Sequence, residues 1–256
     1  MSERRPVAVV TGAGRGIGKA IALAFASAGA DLVLAGRDTA TLEATAAEAA
    51  VASLTVVTDV TDEASVANLA ARTAERFGRA DVVVANSGIG GPSGPVWELS
   101  RAAWDETFAV NVTGVWLCSR AFLPAMVERG GGSFIAIGSM TGKRPLWGRT
   151  PYAASKTALI GLVRTLAVET AASGVRVNLV SPGPVASERM DWVFRAQAEG
   201  RGITEQEARA EMVAQIPLGR LIEADEVADA VVALGLGRLT AVTGEDVNVS
   251  GGMVMY

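Results

Sequence analysis

The sequence predicts an α/β protein, a single domain built on a doubly wound parallel sheet. Short apolar runs alternate with helical patterns along the chain, and a glycine-rich turn joins the first run to the first helix. The chain has 256 residues, 50% of them hydrophobic, which suits one large core. No repeat or long linker divides it, so we expect one domain over residues 1–256.

The first unit of the chain reads as strand, turn, helix and strand. Residues 7–10 and residues 32–35 are apolar runs typical of buried parallel strands. Between them, Gly12, Gly16 and Gly18 lie in a turn that opens a helix. Glycines there let the backbone approach a pyrophosphate, which the helix N-terminus attracts. Three glycines also fit an ordinary loop, but the strand–turn–helix context favours a Rossmann-like dinucleotide site.

The later elements continue this alternation. We predict strands over residues 54–57, 82–85, 133–137, 175–180 and 246–249. We predict helices over residues 39–50, 63–77, 102–129, 188–215 and 224–234, and one more that begins near residue 150. Regular alternation of this kind places helices on both faces of a parallel sheet.

The helix near residue 150 carries a candidate acid/base pair. Thr150 is its predicted N-cap and Pro151 its predicted first residue. Tyr152 and Lys156 are then one turn apart on the same face. A cation beside a phenol lowers its pKa from about 10, so the phenol can exchange a proton with a substrate near neutral pH. An ordinary surface helix is the alternative, and the rest of the sequence decides between them.

The composition narrows the chemistry. The chain has no histidine and one cysteine, Cys118, so acid/base work falls to Tyr, Lys, Asp or Glu, and no metal site is expected. A net charge of -4 without a dense basic run gives no sign of a nucleic-acid partner. No apolar stretch approaches the ~20 residues that cross a bilayer, and the first residues are polar. We therefore expect a cytoplasmic protein without a membrane partner.

Polar residues follow the predicted strands, at the edge of the sheet where ligands bind. Each has an ordinary alternative: Asp59 could cap the next helix, Ser139 could end a strand, and Asn86 could belong to a simple turn. A site is favoured because so many candidates meet at one edge, namely residues 12–18, Arg37, Asp59, Asn86, Ser139, Pro182 and Gly183.

These residues resemble the motifs of the short-chain dehydrogenase/reductase family, in particular its 3-oxoacyl-carrier-protein reductases, over essentially the whole chain. The matching positions are a TGxxxGxG turn from Thr11 to Gly18, Asn86-Ser87-Gly88, Asn111, Ser139, Tyr152, Lys156, Asn178, Pro182-Gly183 and Gly251-Gly252. Two positions depart from the family: Ser87 replaces an Ala, and Ser250 stands where Asp often precedes the paired glycines. The YxxxK spacing resembles alcohol–carbonyl enzymes, because the related enoyl reductases place the Lys further away.

The resemblance implies catalytic roles for four residues. Tyr152 is the acid/base, Lys156 lowers its pKa and binds the nicotinamide ribose, Ser139 donates to the substrate oxygen, and Asn111 helps hold a water that relays protons to Lys156. The alternative is a regulator that kept the cofactor and lost catalysis; the complete set of four favours the enzyme. The implied cofactor contacts are Gly12, Arg15, Gly16, Ile17, Gly18, Arg37, Asp59, Val60, Asn86, Gly88, Tyr152, Lys156, Pro182, Gly183 and Val185.

The phosphorylated cofactor, NADP(H), is the predicted preference. Sites selective for NAD carry a carboxylate at the end of the second strand, where this chain has Gly36. Arg37 follows directly and Arg15 lies in the glycine-rich turn, so two guanidinium groups are available to clamp a 2′-phosphate. NAD(H) stays possible if both arginines are solvated and Asp38 binds the ribose instead.

Assembly and substrate are the last expectations. Large apolar residues in the 102–129 region and in the helix after Tyr152 favour a homotetramer, with a monomer core as the alternative. Residues 186–216 form a predicted lid over the cofactor. Basic residues near the site favour a small polar or anionic substrate, and the alternative is that most of these charges face water; the residues are Lys143, Arg144, Arg149, Arg189 and Arg195. The alternative substrate is a 3-oxoacyl thioester.

Overall fold

A computed structural model describes residues 4–256, apart from the side chains of residues 189, 196 and 200. The strands are β1 (Val7–Thr11), β2 (Asp31–Gly36), β3 (Ser53–Val57), β4 (Val82–Ala85), β5 (Gly132–Ile137), β6 (Val175–Pro182) and β7 (Asp246–Val249). Within the described range they form one seven-stranded parallel sheet in the order β3-β2-β1-β4-β5-β6-β7. The predicted fold class and each predicted strand are confirmed.

Helices cover both faces of this sheet. They are α1 (Gly16–Ser27), α2 (Thr39–Ala49), α3 (Glu63–Phe77), α4 (Arg101–Phe108), α5 (Gly114–Arg129), α6 (Thr150–Thr170), α7 (Glu188–Arg201), α8 (Glu205–Val213) and α9 (Ala224–Gly235). Strand β1 shows how the layers arise. Val7 and Val9 join the core under α3, α5 and α6, while Ala8 and Val10 join the core under α1, α2 and α9. Alternate residues of one strand therefore fill two cores, as the apolar runs predict.

The chain order reverses direction between β1 and β4, which are neighbours in the sheet. Strands β2 and β3 lie to one side of β1, and the later strands lie beyond β4. Ligands bind doubly wound sheets at such a switch point, beyond the carboxyl ends of the strands. The fold thus opens its crevice where the glycine-rich turn follows β1.

The predicted helix over residues 102–129 is interrupted. A π-helical turn, Ala109–Thr113, separates α4 from α5. By length and composition, the stretch Arg101–Arg129 could cross a membrane, which corrects the expectation that nothing approaches that length. Half of its most apolar window is buried, and Val115, Phe122 and Met126 belong to the core, which explains the composition.

The predicted polar helix over residues 188–215 consists of two helices. Helix α7 ends at Arg201, and the next residue, Gly202, caps it with a left-handed φ of 66°. A capping box between Thr204 and Glu207 begins α8. The pair has a small core of its own, formed by Phe194, Ala208, Ile216 and Leu221.

Helix α6 begins one residue earlier than predicted. Thr150 is its first residue and Arg149 occupies the N-cap position, so the prediction that Thr150 caps the helix is wrong. Pro151 still lies in the first turn, where its missing N–H costs nothing.

Candidate active site

The glycine-rich turn has the close approaches that the motif predicts. Gly12 has a φ of 67° and Gly16 a φ of 52°, a region that favours glycine. A Cβ on Gly18 would lie 2.1 Å from the Gly12 carbonyl oxygen, whereas a Cβ on Gly16 would meet nothing within 4 Å. The turn is therefore closed toward the sheet and open on its outer side, which fits a pyrophosphate at the start of α1.

Hydrogen bonds of Asn86 connect the turn after β4 to this glycine-rich turn. Its Nδ2 donates to the Thr11 carbonyl oxygen at 2.9 Å and to the Gly12 carbonyl oxygen at 3.4 Å. The Thr11 hydroxyl oxygen accepts from the N–H groups of Asn86 and Ser87, each at 3.0 Å. The Ala-to-Ser difference at position 87 leaves this backbone contact in place.

The ends of β2 and β3 carry the residues predicted to read the adenosine half of the cofactor. Gly36 is the last residue of β2, and the side chains of Arg37 and Arg15 are exposed. Asp38 caps α2, since Oδ1 accepts from the Ala40 N–H at 3.0 Å and the Thr41 N–H at 3.4 Å. The carboxylate of Asp38 is thus already engaged by the helix.

Asp59 does not cap α3, because Asp62 occupies that position. Its Oδ1 instead accepts from the Thr61 N–H at 2.9 Å and the Thr61 hydroxyl at 2.7 Å. These two hydrogen bonds, with a smaller contribution from the charge of Arg37, hold the pKa of Asp59 below its ordinary value.

Three predicted cofactor contacts have side chains in the core. Val60 packs with the α5 core and Val185 packs with Ile222, while Ile17, in the first turn of α1, is partly buried against the core that holds α1, α2 and α9. Any cofactor contact from Val60 or Val185 therefore comes from the main chain.

Pro182 ends β6, and Gly183 follows it in close contact with the loop after β7. A Cβ on Gly183 would lie 2.8 Å from Ser250 Cα. Ser250 is buried, and its hydroxyl accepts from the Val254 N–H at 3.1 Å and donates to the Val254 carbonyl at 3.3 Å. The Ser250 side chain thus closes the loop around Gly251-Gly252 by pairing with the main chain of Val254.

Asn111 lies in the π-turn and is fully buried. Its Oδ1 accepts from the Ile89 N–H at 2.8 Å, and its Nδ2 donates to the Ile89 carbonyl and the Ser155 hydroxyl, both at 3.0 Å. It joins the turn after β4 to α6. Gly88 lies close to both Asn111 and Lys156, because a Cβ on Gly88 would be 3.2 Å from Asn111 Oδ1 and 3.5 Å from Lys156 Nζ.

Two cations lie near the ring of Tyr152. Lys156 Nζ is 5.9 Å from the centroid of its ring, and Arg149 Cζ is 5.2 Å from the same centroid. Lys156 is 5% exposed and donates to the Ile137 carbonyl at 2.7 Å. Arg149 donates to the Gly90 carbonyl at 2.7 Å. The ring is therefore held in a positive environment from the start of α6 and from its second turn.

Ser139 follows β5 and begins a short 3₁₀ turn, Met140–Gly142. Its hydroxyl oxygen accepts from the Thr141 N–H at 3.2 Å. The turn rests on α6, because the Thr157 hydroxyl donates to the Gly142 carbonyl at 2.7 Å. The turn that Ser139 begins thus rests on α6 beside Lys156 and Thr157.

Comparisons with known proteins decide the family. A family profile described as Enoyl-(Acyl carrier protein) reductase matches residues 12–254. The chain is 33% identical over 255 residues to the 3-oxoacyl-[acyl-carrier-protein] reductase FabG of Escherichia coli (strain K12), with 100% of each chain covered. This chain is a short-chain dehydrogenase/reductase. It is also 41% identical over 252 residues to the galactitol 2-dehydrogenase (L-tagatose-forming) of Cereibacter sphaeroides, covering 97% of this chain and 95% of that protein.

Solved structures of short-chain dehydrogenases/reductases agree. An actinorhodin polyketide ketoreductase with NADPH superposes with a TM-score of 0.93 at 34% identity, covering 98% of each chain. An NAD⁺-bound xylitol dehydrogenase superposes with a TM-score of 0.92 at 28% identity, covering 98% of this chain and 100% of that one. The chain is thus an NAD(P)-dependent oxidoreductase that interconverts alcohols and carbonyls, as predicted.

The contacts of two residues, Ser155 and Lys143, were not predicted from the sequence. Ser155 bonds Asn111 across 44 residues of chain, which no local spacing reveals. Lys143 was predicted to face the substrate, and this is wrong. Its side chain is 8% exposed and lies 2.8 Å from Asp246 of β7.

Proposed function

We propose that Tyr152 is the acid/base of this oxidoreductase, with Ser139, Lys156 and Asn111 as its catalytic partners. The observation that carries the proposal is the presence of two cations near the Tyr152 ring, Lys156 at 5.9 Å and Arg149 at 5.2 Å from its centroid. Both cations favour the phenolate, so the phenol can accept a proton from an alcohol near neutral pH and return it to a carbonyl oxygen. When bound, the nicotinamide supplies the hydride chemistry.

The other residues of the site stabilise the charge that develops on the substrate and position the reacting groups. Ser139 donates to the substrate oxygen, where negative charge develops. Lys156 donates to the Ile137 carbonyl, which fixes its Nζ 5.9 Å from the centroid of the Tyr152 ring. Asn111 holds the turn at Ile89 against α6, and a proton-relay water beside Lys156 is the role that the family implies for it. The glycine-rich turn, with Asn86, holds the pyrophosphate.

Tyr152→Phe tests the acid/base role. We expect turnover to fall by ~10²–10⁴-fold because the proton donor is gone, while the cofactor dissociation constant stays within about twofold. The readouts are NADPH absorbance for turnover and fluorescence titration for binding. Near-normal turnover in this variant would show that Tyr152 is not the acid/base.

NADP(H) is the proposed preferred cofactor, with NAD(H) as the alternative. Gly36 ends β2 without a carboxylate, Asp38 is engaged in capping α2, and Arg15 and Arg37 are exposed at the same edge. We expect Arg37→Ala to lower kcat/KM with NADPH by at least about tenfold and leave kcat/KM with NADH nearly unchanged. Arg72→Ala, an exposed arginine on α3, is the matched control. A higher kcat/KM with NADH in the unmodified protein contradicts the proposal.

The proposed substrate is a small polar or anionic alcohol or carbonyl compound. Of the predicted basic residues, Arg149 supports this idea best because it lies over Tyr152, where a substrate carboxylate could pair with it. Arg144 donates to Gln215 at 3.0 Å, between the turn after Ser139 and the segment after α8. The side chain of Arg189 lies outside the described residues. A relative at 38% identity over 248 residues, from Sinomonas cyclohexanicum, is named cis-4-hydroxycyclohexanecarboxylate dehydrogenase; the match covers 96% of this chain and 95% of that protein.

A substrate panel tests this choice. It contains galactitol, cis-4-hydroxycyclohexanecarboxylate, the uncharged methyl ester of that acid, and acetoacetyl-coenzyme A. We expect the acid to exceed its ester in kcat/KM by about tenfold or more, and Arg149→Ala to remove that difference while Arg149→Lys keeps part of it. Preference for the ester in the unmodified protein would refute the anionic substrate. Fastest turnover of the thioester would favour the alternative, a 3-oxoacyl thioester reductase, which the full-length match to the Escherichia coli enzyme supports.

The proposed assembly is a cytoplasmic homotetramer without nucleic-acid or membrane partners, in which residues 186–216 act as a lid. Val115 and Phe122 fill the core, but Trp116 on α5 is 44% exposed and Val168 on α6 is 81% exposed, which favours a subunit contact. The separate small core of α7 and α8 supports movement of the lid as a unit. Sedimentation at micromolar concentration tests the assembly, and a monomer contradicts it.

A further inference from the structure

The turn that carries Ser139 is fixed on its far side by Lys143. The Lys143 N–H donates to the Met140 carbonyl at 2.9 Å, so Lys143 belongs to the same turn. Its Nζ lies 2.8 Å from Asp246 Oδ2 and donates to Asn248 Oδ1 at 2.6 Å. Both acceptors are on β7, whose residues pair with β6. The Ser139 turn is thus tied to the sheet as well as to α6.

This ion pair is buried. The side chains of Lys143 and Asp246 are each 8% exposed. Among the described residues, neither carboxylate oxygen of Asp246 has a hydrogen-bond donor in good geometry, so the ammonium group of Lys143 is what offsets its charge. A buried carboxylate needs such a partner, and this need holds the lysine in place.

Tyr256 adds a second tie to the same turn. Its hydroxyl donates to the Lys143 carbonyl at 3.3 Å, and its own carbonyl accepts from Asn248 Nδ2 at 3.2 Å. The main chain and the side chain of Lys143 are therefore both connected to β7.

We propose that Lys143 is a positioning residue for Ser139, acting through the buried contact with Asp246 and Asn248. Ser139 can donate to a developing oxyanion only if its turn keeps its place against α6, the helix that carries Tyr152, and displacements near ~1 Å are enough to lower rates strongly. The inference rests on the proposed role of Ser139, so one arm of its test needs no substrate.

The first arm measures hydrogen–deuterium exchange of the amides of residues 141–144. The variant K143M/D246N removes both charges together and leaves no unpaired buried ion. We expect these amides to exchange about tenfold faster or more, while those of β1 do not change. Tyr256→Phe shifts them in the same direction, and Arg72→Met, which removes an exposed cation on α3, does not. Unchanged exchange in K143M/D246N overturns the proposal; if that variant does not fold, unchanged exchange in Tyr256→Phe overturns it.

The second arm is a double-mutant cycle with Ser139→Ala, using the panel compound that turns over fastest. We expect K143M/D246N to lower kcat about tenfold when Ser139 is present and less than about twofold when it is absent, with the cofactor KM unchanged. If K143M/D246N lowers kcat by the same factor with and without Ser139, Lys143 acts independently of Ser139 and the proposal is overturned. If no panel compound turns over, the proposed substrate class fails while the exchange data still decide the role of Lys143.

Discussion

Gly18→Ala is the sharpest test of the glycine-rich turn, because the structure leaves no space for a methyl group there. A Cβ on Gly18 would lie 2.1 Å from the Gly12 carbonyl oxygen and 2.5 Å from Asn86 Nδ2. Neither neighbour can rotate away alone, since one is main chain and the other is bonded to Thr11. The turn must therefore separate from α1 or from Asn86 by about 1 Å to restore normal contact distances.

The cost follows from these contacts. Inserting a methylene into a tight site costs ~1–3 kcal/mol, and each Asn86 hydrogen bond that breaks adds about 1 kcal/mol. Replacing Gly by Ala inside a helix returns ~0.5–1 kcal/mol. We expect the free energy of unfolding to fall by ~2–4 kcal/mol and the dissociation constant for NADPH to rise about tenfold or more, because the phosphate-binding N–H groups move with the turn.

Urea denaturation and fluorescence titration with NADPH measure the two effects. Gly131→Ala is the matched control. Its φ is not left-handed, and the nearest atom to its Cβ would be 4.0 Å away, so we expect a change within ~0.5 kcal/mol. If Gly18→Ala matched this control in both stability and NADPH affinity, the described contact between Gly18 and Gly12 would be wrong.

Three further predictions concern residues outside this turn. Ser250→Ala should lower the free energy of unfolding by ~1–3 kcal/mol in urea denaturation, because it leaves the buried N–H and carbonyl of Val254 without their partner; an unchanged value would contradict that pairing. Burial raises the pKa of the Cys118 thiol to about 12, so the folded protein should not react with a disulfide reagent at neutral pH until it is unfolded, and rapid native labelling would refute this. The side chain of Arg220, then the N–H of Glu223, hold the pKa of Glu226 down to about 2. Its stabilising contribution is therefore complete above its ordinary value of 4.5 and is lost as the pH falls toward 2, so the difference in Tm between the parent and Glu226→Gln should vanish across that interval; a constant difference would contradict it.

Local patterns were enough to predict the sheet. Each strand is a short apolar run, which is the pattern of a strand buried on both faces of a parallel sheet. The sequence of each run is therefore sufficient to locate the strand. The motif at Gly12 and Gly18 was equally local, since it depends on backbone conformation within one turn.

Contacts between distant parts of the chain were not predictable in the same way. The sequence suggested that Lys143 is a basic group near the substrate. In the structure its side chain is buried in an ion pair with Asp246, which lies 103 residues later in the chain. The π-turn at Asn111 could not be predicted from the sequence pattern. An inserted residue changes the direction of a side chain but does not change the apolar composition around it. The end of α6 nearest the site also differed, as Arg149 takes the cap position and places its guanidinium over Tyr152.

The π-turn also sets the angular phase between α4 and α5. An α-helix advances about 100° per residue, so one extra residue in the backbone ladder rotates everything before it relative to everything after it. That rotation lets Asn111 point inward at Ile89 and Ser155 while Val115 and Cys118, which share one face of α5, remain in the core. One surplus residue thus allows a single helical stretch to face a hydrophobic core and a polar site at once.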